Sequence, residues 1–204
     1  AVRSAATADL QTRFNISSGL GTTLMLRGKY ADAAVYLAQA AAFADGTYAK
    51  AQIQTQQAEL NFKRGDMDQA TVAFEHALGS LGCFVPQNAL AVFSALCFEA
   101  CVQILHTFLP RWFVHRIKRE PDASTTLAIG LYSKLTHGYW FCRTKGQCLW
   151  AHLRGLNLAE RYAPTPELAH AYSEHAPVVS LIPLFRRAVT YAEKSLALRK
   201  HFQD

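Results

Sequence analysis

Gly28-Lys29-Tyr30-Ala31-Asp32-Ala33-Ala34-Val35-Tyr36-Leu37-Ala38-Gln39-Ala40 and Gly65-Asp66-Met67-Asp68-Gln69-Ala70-Thr71-Val72-Ala73-Phe74-Glu75-His76-Ala77 can be laid over each other at an offset of 37 residues. Each opens on glycine, places alanine five positions on (Ala33, Ala70), a large apolar residue four later (Leu37, Phe74) and alanine three after that (Ala40, Ala77). Glycine ends one helix, and the small residues let the axis of the next helix approach a neighbour while the large residue fills the groove between them. A period of this length is the mark of stacked helix pairs.

Outward from these segments the helical pattern continues. Leu10, Phe14, Leu20 and Leu24 precede Gly28, and a helix from about Thr47 to Lys63 precedes Gly65. Asn88 is an expected N-cap for an apolar helix ended by Pro110, and Arg111 to Arg119 form a basic, aromatic segment. Further helices are expected over about 123–141, 147–161, from Thr165-Pro166 to about Pro177, and from about Pro183 to the end. Nothing reads as a strand. The fold class expected is all-α. The segmentation is two repeats over 1–82, an irregular apolar and basic stretch over 83–121, and further helix pairs over 122–204, together one continuous domain.

Half of the 204 residues are apolar, enough for a core, and only 18% are charged, against about a quarter in ordinary soluble domains. A surface so poor in charge suggests a piece of something larger, as does an opening at Ala1 without an initiator Met. Residues 1–110 carry seven Lys and Arg against eight Asp and Glu, and 111–204 carry fourteen against seven, so the basic character belongs to the second half. No signal segment precedes the first helix, and five cysteines, an odd number, suit reduced cytoplasmic thiols better than a disulfide framework. The most membrane-like stretch, Ala89 to Leu109, contains Glu99, Gln103 and His106. A charge near mid-span costs about 2.5–3.5 kcal/mol to insert, so this stretch is expected to be a buried helix.

The opening segments resemble the tetratricopeptide repeat family. The resemblance rests on Leu20-Gly21 before Gly28, on Ala58 in the matching place before Gly65, on Tyr30, Ala33, Leu37 and Ala40, and on Ala70, Phe74 and Ala77. The family's early aromatic is replaced by Ser17 and Gln54 and its terminal proline by Asp45 and Gly82. A weaker match places Ala188, Ala192 and Ser195 at packing positions, with Pro183 where the turn glycine belongs. The stretch from Ala151 to Tyr162, with Pro164 to Ala169 after it, is also similar to the helical repeat region of large bacterial signalling ATPases and kinases.

These resemblances imply a right-handed superhelical stack of antiparallel helix pairs, without catalysis of its own, serving as a scaffold or regulatory region. The family's inner groove would then be lined by Asn15, Ser18, Thr22 and Met25 in one repeat and by Gln52, Thr55, Glu59 and Lys63 in the next. The implied partner is a protein or peptide, including another segment of the same polypeptide. The family's chaperone-binding clamp is not matched, because Ser18, Thr22, Thr55 and Glu59 occupy its places.

Other chemistry is less well supported by the residues. Gly19-Leu20-Gly21-Thr22-Thr23 lacks the strand and the Gly-Lys-Ser/Thr of a phosphate loop. Cys97 with Cys101 and Cys148 with His152 have one-face helical spacing that two zinc-ligand pairs need, but their apolar neighbours favour cysteine as a small core residue, and no metal or cofactor is expected. His106, His115, His137, His170 and His175 are available general bases without a nucleophile in a known motif. The alternative function is binding of nucleic acid or an anionic surface through Arg111, Trp112, Arg116, Lys118 and Arg119. The plain reading of that segment packs Trp112, Phe113, Val114 and Ile117 inward and leaves the cations wet.

Overall fold

The computed structural model describes residues 9–181 and 184–202. Among the described residues there are ten helices and no strand. They are α1 (Leu10–Leu26), α2 (Tyr30–Phe43), α3 (Gly46–Arg64), α4 (Met67–Ser80), α5 (Ala89–Phe108), α6 (Pro110–Phe113), α7 (Ala123–Cys142), α8 (Lys145–Glu160), α9 (Pro166–Ser180) and α10 (Phe185–Phe202). The chain divides into two compact units, Ala1–Val85 and Pro86–Asp204. The first holds α1–α4; the second holds α5–α10 and takes in most of the irregular middle stretch.

In the first unit α1 packs on α2 and α3 on α4, and α2 joins the two pairs by packing on α3. The turns explain why the repeat is visible in sequence. Gly28 and Gly65 both adopt positive φ, at 73° and 88°. In each case the next residue's N–H closes the helix end five residues back, Lys29 to the Leu24 carbonyl at 2.9 Å and Asp66 to that of Asn61 at 3.0 Å. Only glycine enters that left-handed region without strain. Ala33, Ala40, Ala70 and Ala77 are fully buried, as is Leu37, and Phe74 is nearly so. A Cβ on Gly21 would come within 2.6 Å of Leu37, so the α1–α2 approach depends on the missing side chain.

The second unit repeats this order of neighbours. There α7 packs on α8, α8 on α9 and α9 on α10. Gly155 of α8 plays the part of Gly21, since a Cβ there would stand 2.9 Å from the Tyr132 Cβ of α7. Ser195 of α10 is buried and donates to the Ala169 carbonyl of α9 at 2.7 Å. Thr144 and Gln147 form a capping box at the start of α8, which therefore begins at Lys145, two residues before the expected start. α9 does not stop near Pro177 as expected but continues to Ser180. Proline so close to the end forfeits one hydrogen bond, and the Leu181 N–H still reaches the Pro177 carbonyl at 3.3 Å. The expected start of the last helix at Pro183 lies outside the described residues.

α5 overturns the expectation of a buried apolar helix. Among the described residues it is the one helix long and apolar enough to cross a membrane, yet most of it is exposed. Its buried residues are Val92, Glu99, Gln103 and His106, so the polar stripe faces inward. Cys97 and Cys101 are exposed on the outside rather than serving as core residues. The reason lies in α8, on which α5 packs. Asn157 donates to the Glu99 carboxylate at 2.6 Å and Arg154 donates to it at 3.1 Å. The Gln103 amide donates to Asn157 at 2.7 Å and to Glu160 at 2.8 Å, and His106 Nδ1 donates to Glu160 at 2.6 Å. Arg187 and Tyr191 of α10 donate to the Gln103 carbonyl oxygen at 2.9 Å and 3.3 Å. Glu160 is 1% exposed, and this network satisfies a buried charge that an apolar neighbour would have left stranded.

Candidate functional site

α7 and α9, the first helices of two successive pairs in the second unit, border a cleft of about 480 Å³. Ser133, Lys134 and His137 line it from α7, His170 and Glu174 from α9, and Arg199 from α10. His137 follows Ser133 by four residues and Lys134 by three, and Glu174 follows His170 by four, spacings that bring side chains to one side of a helix. Gly155 and Leu156 of α8 lie beneath, so the residue that lets α7 and α8 approach closely also lines the cleft. Glu174 is the hub: Ser133 Oγ donates to it at 2.7 Å, His170 Nε2 lies 3.3 Å away and His137 Nε2 3.8 Å away.

A second pocket of about 530 Å³ adjoins the first and shares His137, His152 and Glu174 with it. Its remaining walls are mostly apolar: Trp140, Leu149, Pro177, Val178 and Leu181. The Lys145 ammonium sits 3.5 Å from the centre of the Trp140 ring, a cation–π contact that fixes the ring at the rim. Cys148 and His152, four residues apart, both face this pocket as their spacing requires. Burial pushes the Cys148 thiol upward, and its S–H is directed at the Thr136 carbonyl 3.4 Å away. A thiol held protonated is a poor nucleophile.

Behind the cleft stands a buried histidine pair. His152 Nε2 and His175 Nδ1 are 2.9 Å apart, so one neutral ring donates to the other's lone pair. Burial lowers the pKa of His152 to about 4 and that of His175 to about 3, the latter helped by His152, Arg187 and Lys194. His175 Nε2 is buried without a hydrogen-bond partner among the described residues. Ser133 donates to the Glu174 carboxylate rather than to an imidazole, so the hydroxyl serves to hold that carboxylate in the cleft. The arrangement is suited to holding a ligand: a rim rich in donors, a carboxylate held by the Ser133 hydroxyl with two imidazoles nearby, and an apolar recess beside them.

The expected groove residues of the first unit are placed unevenly. Asn15 and Lys63 are exposed, and Thr22, Gln52 and Glu59 are half-buried. Met25, Ser18 and Thr55 are buried: Met25 belongs to the core with Phe14, Leu37 and Ile53. Thr55 bonds its own helix at the Ala51 carbonyl, and Ser18 donates to Gln56 of α3. Gln56 also donates to Thr22, so these polar groups tie α1 to α3. In the basic segment Arg111, Arg116, Lys118 and Arg119 are exposed, and so is Trp112, contrary to the inward packing of the plain reading. Phe113, Val114 and Ile117 are half-buried. Among the described residues no group of three or more His, Cys, Asp or Glu is arranged to hold a metal ion.

His137 and His170 stand out in the sequence as isolated titratable residues, whereas Ser133, Lys134, Glu174 and Arg199 do not. The signal is the spacing of His137 from Ser133 and Lys134 on α7 and of Glu174 from His170 on α9. No model of a known protein family matches this chain, and no curated protein matches it in sequence.

Proposed function

We propose that the chain is a non-enzymatic binding module of tetratricopeptide type, a right-handed stack of helix pairs whose cleft between α7 and α9 takes an extended segment of another protein or of the same polypeptide. The observation that supports this reading best is the placement of the cleft. It lies between the first helices of two successive pairs, where the resemblance puts the family's groove, and it joins a donor-rich rim to an apolar recess. A peptide with an apolar side chain for the recess beside Val178 and acceptor groups for Lys134, His170 and Arg199 fits that chemistry. As a scaffold or regulatory region within a larger signalling protein, such a module would couple partners without chemistry of its own.

The test is selection of peptides from a random library against the chain, followed by affinity measurements on variants. Val178→Asp and Lys134→Glu are expected to weaken a selected peptide about tenfold or more, with Asn15→Ala in the first unit neutral. Failure to select any peptide, or a selected peptide indifferent to both cleft changes, would remove the reading.

A further inference from the structure

The face of α5 turned away from α8 is apolar apart from Ser94, whose hydroxyl donates to the Ala91 carbonyl of its own helix. Leu90, Phe93, Cys97, Cys101, Ile104 and Phe108 recur at spacings of three and four residues, and all are exposed, Leu90 and Phe108 by 77% each. Glu99, the one Asp, Glu, Lys or Arg in this helix, is buried against α8, so the outward face carries no formal charge. Directly beyond its C-terminal end stand Leu109 and Trp112, the latter 76% exposed, followed by Arg116, Lys118 and Arg119, with Arg111 beside the tryptophan. All four cations are exposed, against the exposed acids Glu120 and Asp122.

The way α5 is held decides between crossing a bilayer and lying on one. Its inner stripe is bonded to Asn157, Glu160 and Arg154 of α8. Crossing would carry that whole ionisable network into hydrocarbon, where such groups are costly. Lying in the surface plane requires nothing of the kind: the network stays on the protein side and only the uncharged face enters the lipid boundary. The flanking residues have the chemistry of an anionic headgroup layer, with tryptophan suited to the interface and guanidinium and ammonium groups to phosphate and carboxylate.

We propose that the outer face of α5, with the Trp112 and Arg111 to Arg119 flank, docks this chain in the plane of an anionic lipid surface. The site is separate from the α7–α9 cleft and does not rest on the function assigned to it.

Flotation of the chain with phosphatidylcholine vesicles, with and without phosphatidylserine, tests the proposal. Uptake is expected with the anionic vesicles and only weakly without them, falling as salt rises. Phe108→Asp is expected to lower uptake about tenfold or more, and Arg116→Glu with Arg119→Glu to lower it by a similar factor. Phe93→Ser, at another exposed position, should act in the same direction as Phe108→Asp, which guards against misfolding of one variant. In a Trp140→Phe background the emission of Trp112 should shift to the blue on anionic vesicles. Four results would overturn the proposal: no uptake by anionic vesicles; uptake untouched by both apolar changes, which marks simple polyanion attraction; duplex DNA bound through the same cations while vesicles are not; and a dimer in sedimentation that Phe108→Asp dissociates, with no vesicle binding.

Discussion

α1–α4 and α7–α10 follow the same order of neighbours but are held together differently. Among the described residues of the first unit the buried polar side chains are the hydroxyls Ser17, Ser18, Thr55 and Thr71, set among alanine, leucine and phenylalanine. In the second they include Glu99, Gln103, His106, His152, Asn157, Glu160 and His175. One arrangement of helix pairs therefore tolerates two kinds of interior, one governed by packing volume and the other by hydrogen-bond satisfaction. The three tryptophans, Trp112, Trp140 and Trp150, all lie in the second unit, so their emission reports that unit alone while circular dichroism reports both.

The largest expected effect tests the packing side of this contrast. Phe74→Ala should cost about 3–5 kcal/mol, lowering the denaturant midpoint in circular dichroism while leaving tryptophan emission of the second unit unchanged. Coincident loss of both signals would show that the interiors are not independent. Glu160→Ala should do the converse, at about 3 kcal/mol or more, because it strands His106 and the Gln103 amide inside the second unit. A loss well below that would mean that the network contributes little to stability.

Acid should separate the units next. His152 and His175 have folded pKa values of about 4 and 3, below the ordinary 6.5. At pH 7 both are neutral, folded or unfolded. Below about 6.5 the unfolded chain takes up protons that the folded unit refuses, so stability falls with pH and levels off only near the folded values. A loss on the order of a few kcal/mol by pH 4 is expected in tryptophan-monitored melts of the second unit. His152→Gln with His175→Gln should flatten that dependence, and an unchanged slope would discount the pair. The smallest effects concern the two close approaches. Gly155→Ala, where the obstruction is the Tyr132 Cβ, should cost about 1–3 kcal/mol. Gly21→Ala, which meets Cδ2 and Cγ of Leu37 rather than a Cβ, should cost less, about 1 kcal/mol, because that side chain can turn about its own bonds. Equal costs would remove the distinction between the two contacts.

What could be read in advance follows the same division. The first unit was legible because its interior is written in residue size and backbone freedom, Gly28 and Gly65 in left-handed turns and Ala33, Ala40, Ala70 and Ala77 at close contacts. These are local properties that a sequence displays directly. The orientation of α5 was not legible. Glu99, Gln103 and His106 plainly share one face, but whether a polar stripe turns outward to water or inward depends on what meets it. The answer lay some 55 residues away, in Arg154, Asn157 and Glu160. For the same reason the cleft escaped the sequence: each helix shows its half of the lining, and neither shows that the halves face each other.

The segment from α6 to Arg119 bears on how the chain would be dissected. Arg111, Arg116, Lys118 and Arg119 make it the richest target for trypsin by composition, yet a protease must draw several residues of backbone into an extended shape in its own active site. Here the backbone is already engaged: the His115 N–H bonds the Glu160 carbonyl at 2.7 Å, that of Ile117 bonds Arg161 at 2.9 Å, and the Arg119 carbonyl accepts from Ala163 at 3.1 Å. The His115 ring holds the Tyr162 carbonyl at 2.6 Å as well, which fixes its backbone at positive φ. Trypsin sites that look open by sequence are thus stitched to the end of α8, and cleavage there would report loosening of the second unit rather than a natural seam in the chain.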